Sequence, residues 1–117
     1  MLSREGGVMQ NQTKLGISLS NRSVLFDFAT VETLIDAAKT AEDSGWFDGV
    51  WVGDNFLSKP RVDVMVTLSA IAAHTQRVKL GTICLASFPL RHPIPFAIQW
   101  ASLDILSRGR TILTVCN

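Results

Sequence analysis

The sequence is short of charge. Only 18% of its 117 residues are Asp, Glu, Lys or Arg, against 47% hydrophobic. A small soluble domain needs a charged surface, so the shortage implies apolar faces that a partner or further chain covers. Neither sign dominates: 11 basic and 10 acidic residues leave a net charge of +1. That gives no electrostatic case for nucleic acid or an anionic membrane. Cysteine is scarce too. Cys84 and Cys116 do not amount to a disulfide framework, and a reducing cytoplasm is the expected compartment. No apolar run reaches the roughly 18 residues of a transmembrane helix. Met1 to Lys14 lacks the apolar core of a signal peptide, and Met9 serves as well as Met1 for a start. Walker A and G-x-G-x-x-G patterns are missing, as is any low-complexity tract. His92, in Arg91-His92-Pro93, has no Cys, His or acid at ligand spacing, so no metal site is expected. The length suits one domain rather than two.

What is present is alternation. Leu15, Ile17 and Leu19 alternate with Gly16, Ser18 and Ser20 as a half-buried strand. After a loop over 21–28, Thr30 is placed to cap a helix whose apolar face is Val31, Leu34, Ile35, Ala38 and Ala41, closed by Gly45. Val50-Trp51-Val52 is a short, wholly apolar strand suited to burial on both faces. Asp63 caps a second helix carrying Met65, Leu68, Ile71 and Ala72, with His74 near its C-terminal carbonyls. A third strand runs from Val78 to Leu85. Pro95 suits the first turn of a third helix that continues to about Ser107, and its nearly all-round apolar surface predicts burial on more than one side. Gly109 ends it and Thr111 to Cys116 form a fourth strand. The order β-α-β-α-β-α-β is that of a parallel α/β sheet with right-handed crossovers. A small open sheet and half of a (β/α)₈ barrel both satisfy it.

Several segments, taken in order, resemble the bacterial luciferase-like monooxygenase family. Ala41-Glu42-Asp43-Ser44-Gly45 followed by Gly49-Val50-Trp51-Val52-Gly53-Asp54 is similar to its "AE-x-x-G-(x)-VW-x-x-DH" start. Ala73-His74-Thr75-Gln76-Arg77-Val78-Lys79-Leu80-Gly81-Thr82 is similar to "A-x-T-x-R-(V/I)-x-LGT". Arg91-His92-Pro93 and Leu103-Asp104-Ile105-Leu106-Ser107-Arg108-Gly109-Arg110 are similar to "RHP" and "LD-x-LS-x-GR". The resemblance implies a (β/α)₈ TIM barrel, of which this chain holds the first half: a disordered segment over 1–13 and a partial barrel domain over 14–117. It implies FMN or coenzyme F420 as cofactor, bound at the C-terminal ends of the strands beside a small-molecule substrate. It also implies a homo-oligomer formed through the second and third helices.

Carried over position by position, the resemblance marks Asp54, Asn55, Thr82, Ile83, Cys84, Cys116 and Asn117 as cofactor-side residues, with Asn55 and Cys116 at catalytic positions. Asn55 stands where the family often has a histidine implicated in catalysis. Asparagine exchanges hydrogen bonds but is no acid or base near neutral pH, and capping its loop is the plainer role for Asp54 and Asn55. At Ile83-Cys84 many relatives carry a bulge with a non-proline cis peptide that supports the cofactor ring; an ordinary buried strand with a buried thiol is the alternative. Cys116 matches a reactive flavin-side cysteine by its distance from Gly109-Arg110, against the inert core thiol that strand ends more often hold. Asn117 stands where a phosphate-contacting arginine is found, so that charge-assisted bond is missing. The chain is then the N-terminal part of a flavin- or F420-dependent oxidoreductase, inactive by itself. The alternatives are a non-catalytic half-barrel that serves as an oligomerising module, a gene remnant, or a free-standing small domain.

Overall fold

Local chemistry sets the helix ends. In the computed structural model, which describes residues 13–116, Thr30 caps α1 (Val31–Ser44). Its hydroxyl accepts the Thr33 N–H at 3.2 Å, and the Thr33 hydroxyl accepts the Thr30 N–H at 3.3 Å, a reciprocal cap with threonine in the usual Glu position. Gly45 ends the helix at φ 71°, where a side chain would be strained. Asp63 caps α2 (Val64–His74), its Oδ1 accepting from the amides of Met65 (2.8 Å) and Val66 (3.2 Å). His74 Nδ1 lies 2.8 Å from the Ala70 carbonyl, at the helix end where the sequence put it. The third helix, α3, runs Pro93–Leu106, with Pro95 in its first turn as expected. Both Pro93 and Pro95 fall in its first turn, where a missing N–H loses no helical bond.

The strands are β1 (Gly16–Leu19), β2 (Gly49–Asp54), β3 (Lys79–Leu85) and β4 (Thr111–Ile112), parallel and in the order 1-2-3-4. β4 is shorter than the expected Thr111–Cys116; beyond it only Val115 bridges back, to Leu85. Register assigns the two faces. Ile17, Leu19, Val50, Val52, Leu80 and Thr82 share one face, and apart from half-buried Ile17 all are buried beneath the helices. Gly16, Trp51 and Gly81 lie on the other. A Cβ on Gly16 or Gly81 would collide with the Trp51 indole, so one ring covers this face across three strands and only glycine beside it leaves room. Helices bury one face of β2, while the other carries the Trp51 indole, itself only partly buried, so the two-sided burial expected of β2 is met on one side only.

A second expectation is corrected. α3 is not buried on several sides: only Phe96 and Leu103 are buried, while Ile94, Ile98, Ile105 and Leu106 are 63–77% exposed. Its main packing against a helix is on α2, and the faces carrying these four side chains are open. The expected disordered segment over 1–13 falls, apart from Thr13, outside the described residues.

The N-terminal edge of the sheet is tied by charged side chains. Glu42, from the end of α1, accepts the amides of Gln76 (2.8 Å), Arg77 (2.6 Å) and Val78 (2.9 Å) ahead of β3. Partial burial pushes its carboxyl up, but the three amides and the nearby Arg110 outweigh this and hold it below the usual glutamate value. Arg110, 8% exposed, donates to the carbonyls of Ala72, Thr75, Val78 and Ser107 and to the Thr75 hydroxyl, at 2.7–3.1 Å. All five guanidinium donors are used.

Candidate functional site

The C-terminal edge gathers the sequence-marked residues. Asp54 ends β2, Thr82 to Cys84 lie in the C-terminal half of β3, and Cys116 follows β4. β2 and β3 stay in register to Val52↔Thr82 and resume at Asp54↔Leu85. Three residues of β3 therefore answer two of β2, a bulge at Ile83 and Cys84. The bulge that the resemblance implies is there, but no peptide among the described residues is cis. The alternative of a fully buried strand is corrected as well: Ile83 is 50% exposed and Cys84 half-buried.

Each candidate side chain has a definite surrounding. Asp54 is buried, and its Oδ2 accepts the Ser87 N–H at 2.7 Å. Its Oδ1 pairs with Arg91 Nη2 at 3.3 Å, and the same nitrogen reaches Asp63 Oδ2 at 3.0 Å. Arg91 also donates Nε to the Ser87 hydroxyl at 2.7 Å and lies over the rings of Phe56 and Phe96. Asp54 is thus directed into a network joining the loops after β2 and β3 to the start of α3. Asn55 Oδ1 accepts from the amides of Leu57, Ser58 and Lys59 at 3.1–3.3 Å and from the Ser58 hydroxyl, closing its loop as an Asx turn. The Thr82 hydroxyl donates to the Thr114 carbonyl at 2.8 Å and accepts its amide at 2.9 Å. Cys84 and Cys116 are joined as a disulfide, with Cα atoms 5.7 Å apart. That corrects the expectation of two unpaired thiols. Asn117 lies outside the described residues.

Three residues here escaped the sequence analysis. Arg91 was passed over in favour of its neighbour His92, which caps α3 without a side-chain bond. Asn21, fully buried, donates Nδ2 to the carbonyls of Gly53 (2.9 Å) and Val62 (2.8 Å) while its Oδ1 has no partner among the described residues. The Arg61 guanidinium fills the space beside Gly53, where a side chain would stand, and donates Nε to the Lys59 carbonyl at 3.4 Å. Nothing in the local sequence separates Asn21 and Arg61 from ordinary loop residues, whereas Arg91 stands in the family-like Arg91-His92-Pro93 segment. A hollow of about 60 Å³ lies elsewhere, among Val24, Leu34, Ile35, Val66 and Ile71, too apolar for chemistry. No helix among the described residues is long and apolar enough to cross a membrane.

An F420-dependent glucose-6-phosphate dehydrogenase from Kineococcus radiotolerans is 38% identical over 87 residues, 70% of this chain and 26% of that protein. Monooxygenase RslO1 from Streptomyces bottropensis superposes at TM-score 0.70 and 24% identity, over 88% of this chain and 32% of its own. The coenzyme F420-dependent tetrahydromethanopterin reductase from Methanopyrus kandleri gives 0.68 at 24% identity, over 87% and 26%. These superpositions speak for the fold, which is the first half of a (β/α)₈ barrel. The chain spans about a quarter of the length of the curated relatives it matches. The model of the luciferase-like monooxygenases covers residues 5–116, and the chain belongs to that family.

Proposed function

We propose that the complete protein is an F420-dependent oxidoreductase of the hydride-transfer type, to which this chain supplies the first half of the barrel and one wall of the cofactor site. The observation that carries this is the β3 bulge, with half-exposed Ile83 at the C-terminal edge of the sheet. An apolar platform there suits a flat ring. Gly53 adds no side chain of its own, and the Arg61 guanidinium beside it suits an anionic part of the cofactor. F420 is preferred to FMN because the similar curated dehydrogenases are named for it. When bound, the cofactor supplies the redox chemistry, and the protein orients it and excludes water. Asp54 holds the wall through Arg91 and Ser87, Asn55 holds the loop above it, and neither serves as an acid or base.

Titrating the full-length protein with F420 and with FMN, followed by fluorescence, tests this. Stoichiometric F420 binding is expected, weakened about tenfold or more by Ile83→Asp, since a charge beside the ring is desolvated on binding. No affinity for either cofactor overturns the proposal, and binding of FMN alone moves it to the flavin branch. A second reading, a non-catalytic half-barrel that associates with another chain, is favoured by the open apolar surface of α3. It would use helices α2 and α3 as a homo-oligomer contact and take up no cofactor.

A further inference from the structure

We propose that Cys84 and Cys116 form a reversible dithiol–disulfide site that fastens the segment after β4 to β3 when oxidised and frees it when reduced. Cys84 lies near the end of β3 and Cys116 in the segment after β4, 32 positions apart in sequence, with Cα atoms 5.7 Å apart, inside the usual range for a bridge. That closeness does not depend on the bond. The Leu85 amide donates to the Thr114 carbonyl at 2.8 Å, the Thr82 hydroxyl makes two bonds to the Thr114 backbone, and Leu85 bridges Val115. A reduced pair therefore stays poised to close again, unlike a staple whose cysteines part once it is cut. Both cysteines are half-buried and neither belongs to the core, while Leu113, Thr114 and Val115 are exposed. A small reagent can reach the sulfurs without unfolding the sheet.

The oxidant is a low-molecular-weight disulfide such as oxidised glutathione. One cysteine thiolate attacks it, forming a mixed disulfide and releasing one small thiol. The second cysteine thiolate then attacks the mixed disulfide at the protein sulfur and releases the other. The two cysteines lose two electrons in all, the small disulfide gains them, and the two cysteine protons end on the released thiols. The backbone ties favour the second attack by holding the partner sulfur in place. This proposal is independent of the cofactor assignment, because it is read on the cysteines themselves.

The test equilibrates the full-length protein in mixtures of reduced and oxidised glutathione, traps thiols with N-ethylmaleimide in acid, and digests with trypsin without reductant. Under oxidising mixtures the peptide 80–91 should appear joined to the peptide beginning at Thr111. Under reducing mixtures both should carry maleimide. The change should run in both directions with far-UV circular dichroism unaltered. Maleimide on both cysteines at every ratio overturns the proposal. So does a bridge that opens only in denaturant, or glutathione adducts as the end product. Cys84→Ser should leave Cys116 as a glutathione adduct; should that variant fail to fold, the wild-type exchange still decides.

Discussion

Two side chains concentrate the stability of the N-terminal edge. Arg110 is buried without a carboxylate in contact; its charge is met by carbonyls, among them Ala72 in the last turn of α2, where the helix dipole is negative. Burial pushes the guanidinium below its usual pKa, with Glu42 opposing this and Arg108 adding to it, yet arginine stays charged throughout the working range. Arg110→Ala leaves four carbonyls unpaired and should cost at least ~3 kcal/mol, whereas Arg110→Lys keeps the charge with fewer donors and should cost less. Urea unfolding of the two variants checks the order. Glu42 adds a pH dependence. Its carboxyl is lowered in the folded state from 4.5, so its contribution is present above that value and is lost as pH falls through the folded pKa. Glu42→Gln should be less stable at neutral pH by about 1–2 kcal/mol. Its stability should also fall less steeply below pH 4.5, the residual slope including Glu32, whose carboxyl is lowered in the same sense. Identical acid slopes for wild type and variant would refute the assignment.

At the scale of elements, the helix-free face depends on one indole. Trp51 lies across Gly16 and Gly81, so Gly81→Ala forces the ring or the strand to move and should cost about 1–3 kcal/mol. Trp51→Leu should cost stability alone but cancel most of the Gly81→Ala penalty, a coupling that a double-mutant cycle measures. Strictly additive effects would mean that the ring does not fill this space. The contrast between legible and illegible features follows from range. Thr30, Asp63 and Gly45 act within their own turn, so the caps of α1 and α2 can be read from a few residues. The helix-facing Val50, Val52 and Leu80 follow from apolar runs between helices. Arg110, Arg91, Asn21 and Glu42 act 28 to 41 residues away, and no local pattern announces such partners. The Cys84–Cys116 pairing was hidden for the same reason: it depends on the register of β3 against the chain after β4. The β3 bulge was legible only through family likeness, and its trans geometry only in three dimensions.

For the molecule as a whole, the shortage of charge and the shape agree. Both sheet edges, β1 and β4, carry backbone groups without a neighbouring strand among the described residues, and open edges invite pairing with another chain. Beside them α3 exposes Ile94, Ile98, Ile105 and Leu106, and α2 exposes Val66 at 64%. Ile98 and Leu106 line one groove with Met65 and Val66, and exposed apolar faces of this kind favour association. The 117-residue chain by itself should therefore associate. Light scattering should give a mass above 12.8 kDa that rises with concentration. Charges placed in the groove, Ile98→Glu with Leu106→Glu, should lower that mass without changing the circular dichroism, because neither side chain belongs to the core. If the double variant associates as strongly as wild type, the open strands rather than α3 hold the copies together, and blocking β4 with proline at Leu113 becomes the decisive variant. A chain that stays monomeric at every concentration would show that the half-barrel covers these surfaces by a rearrangement of its own.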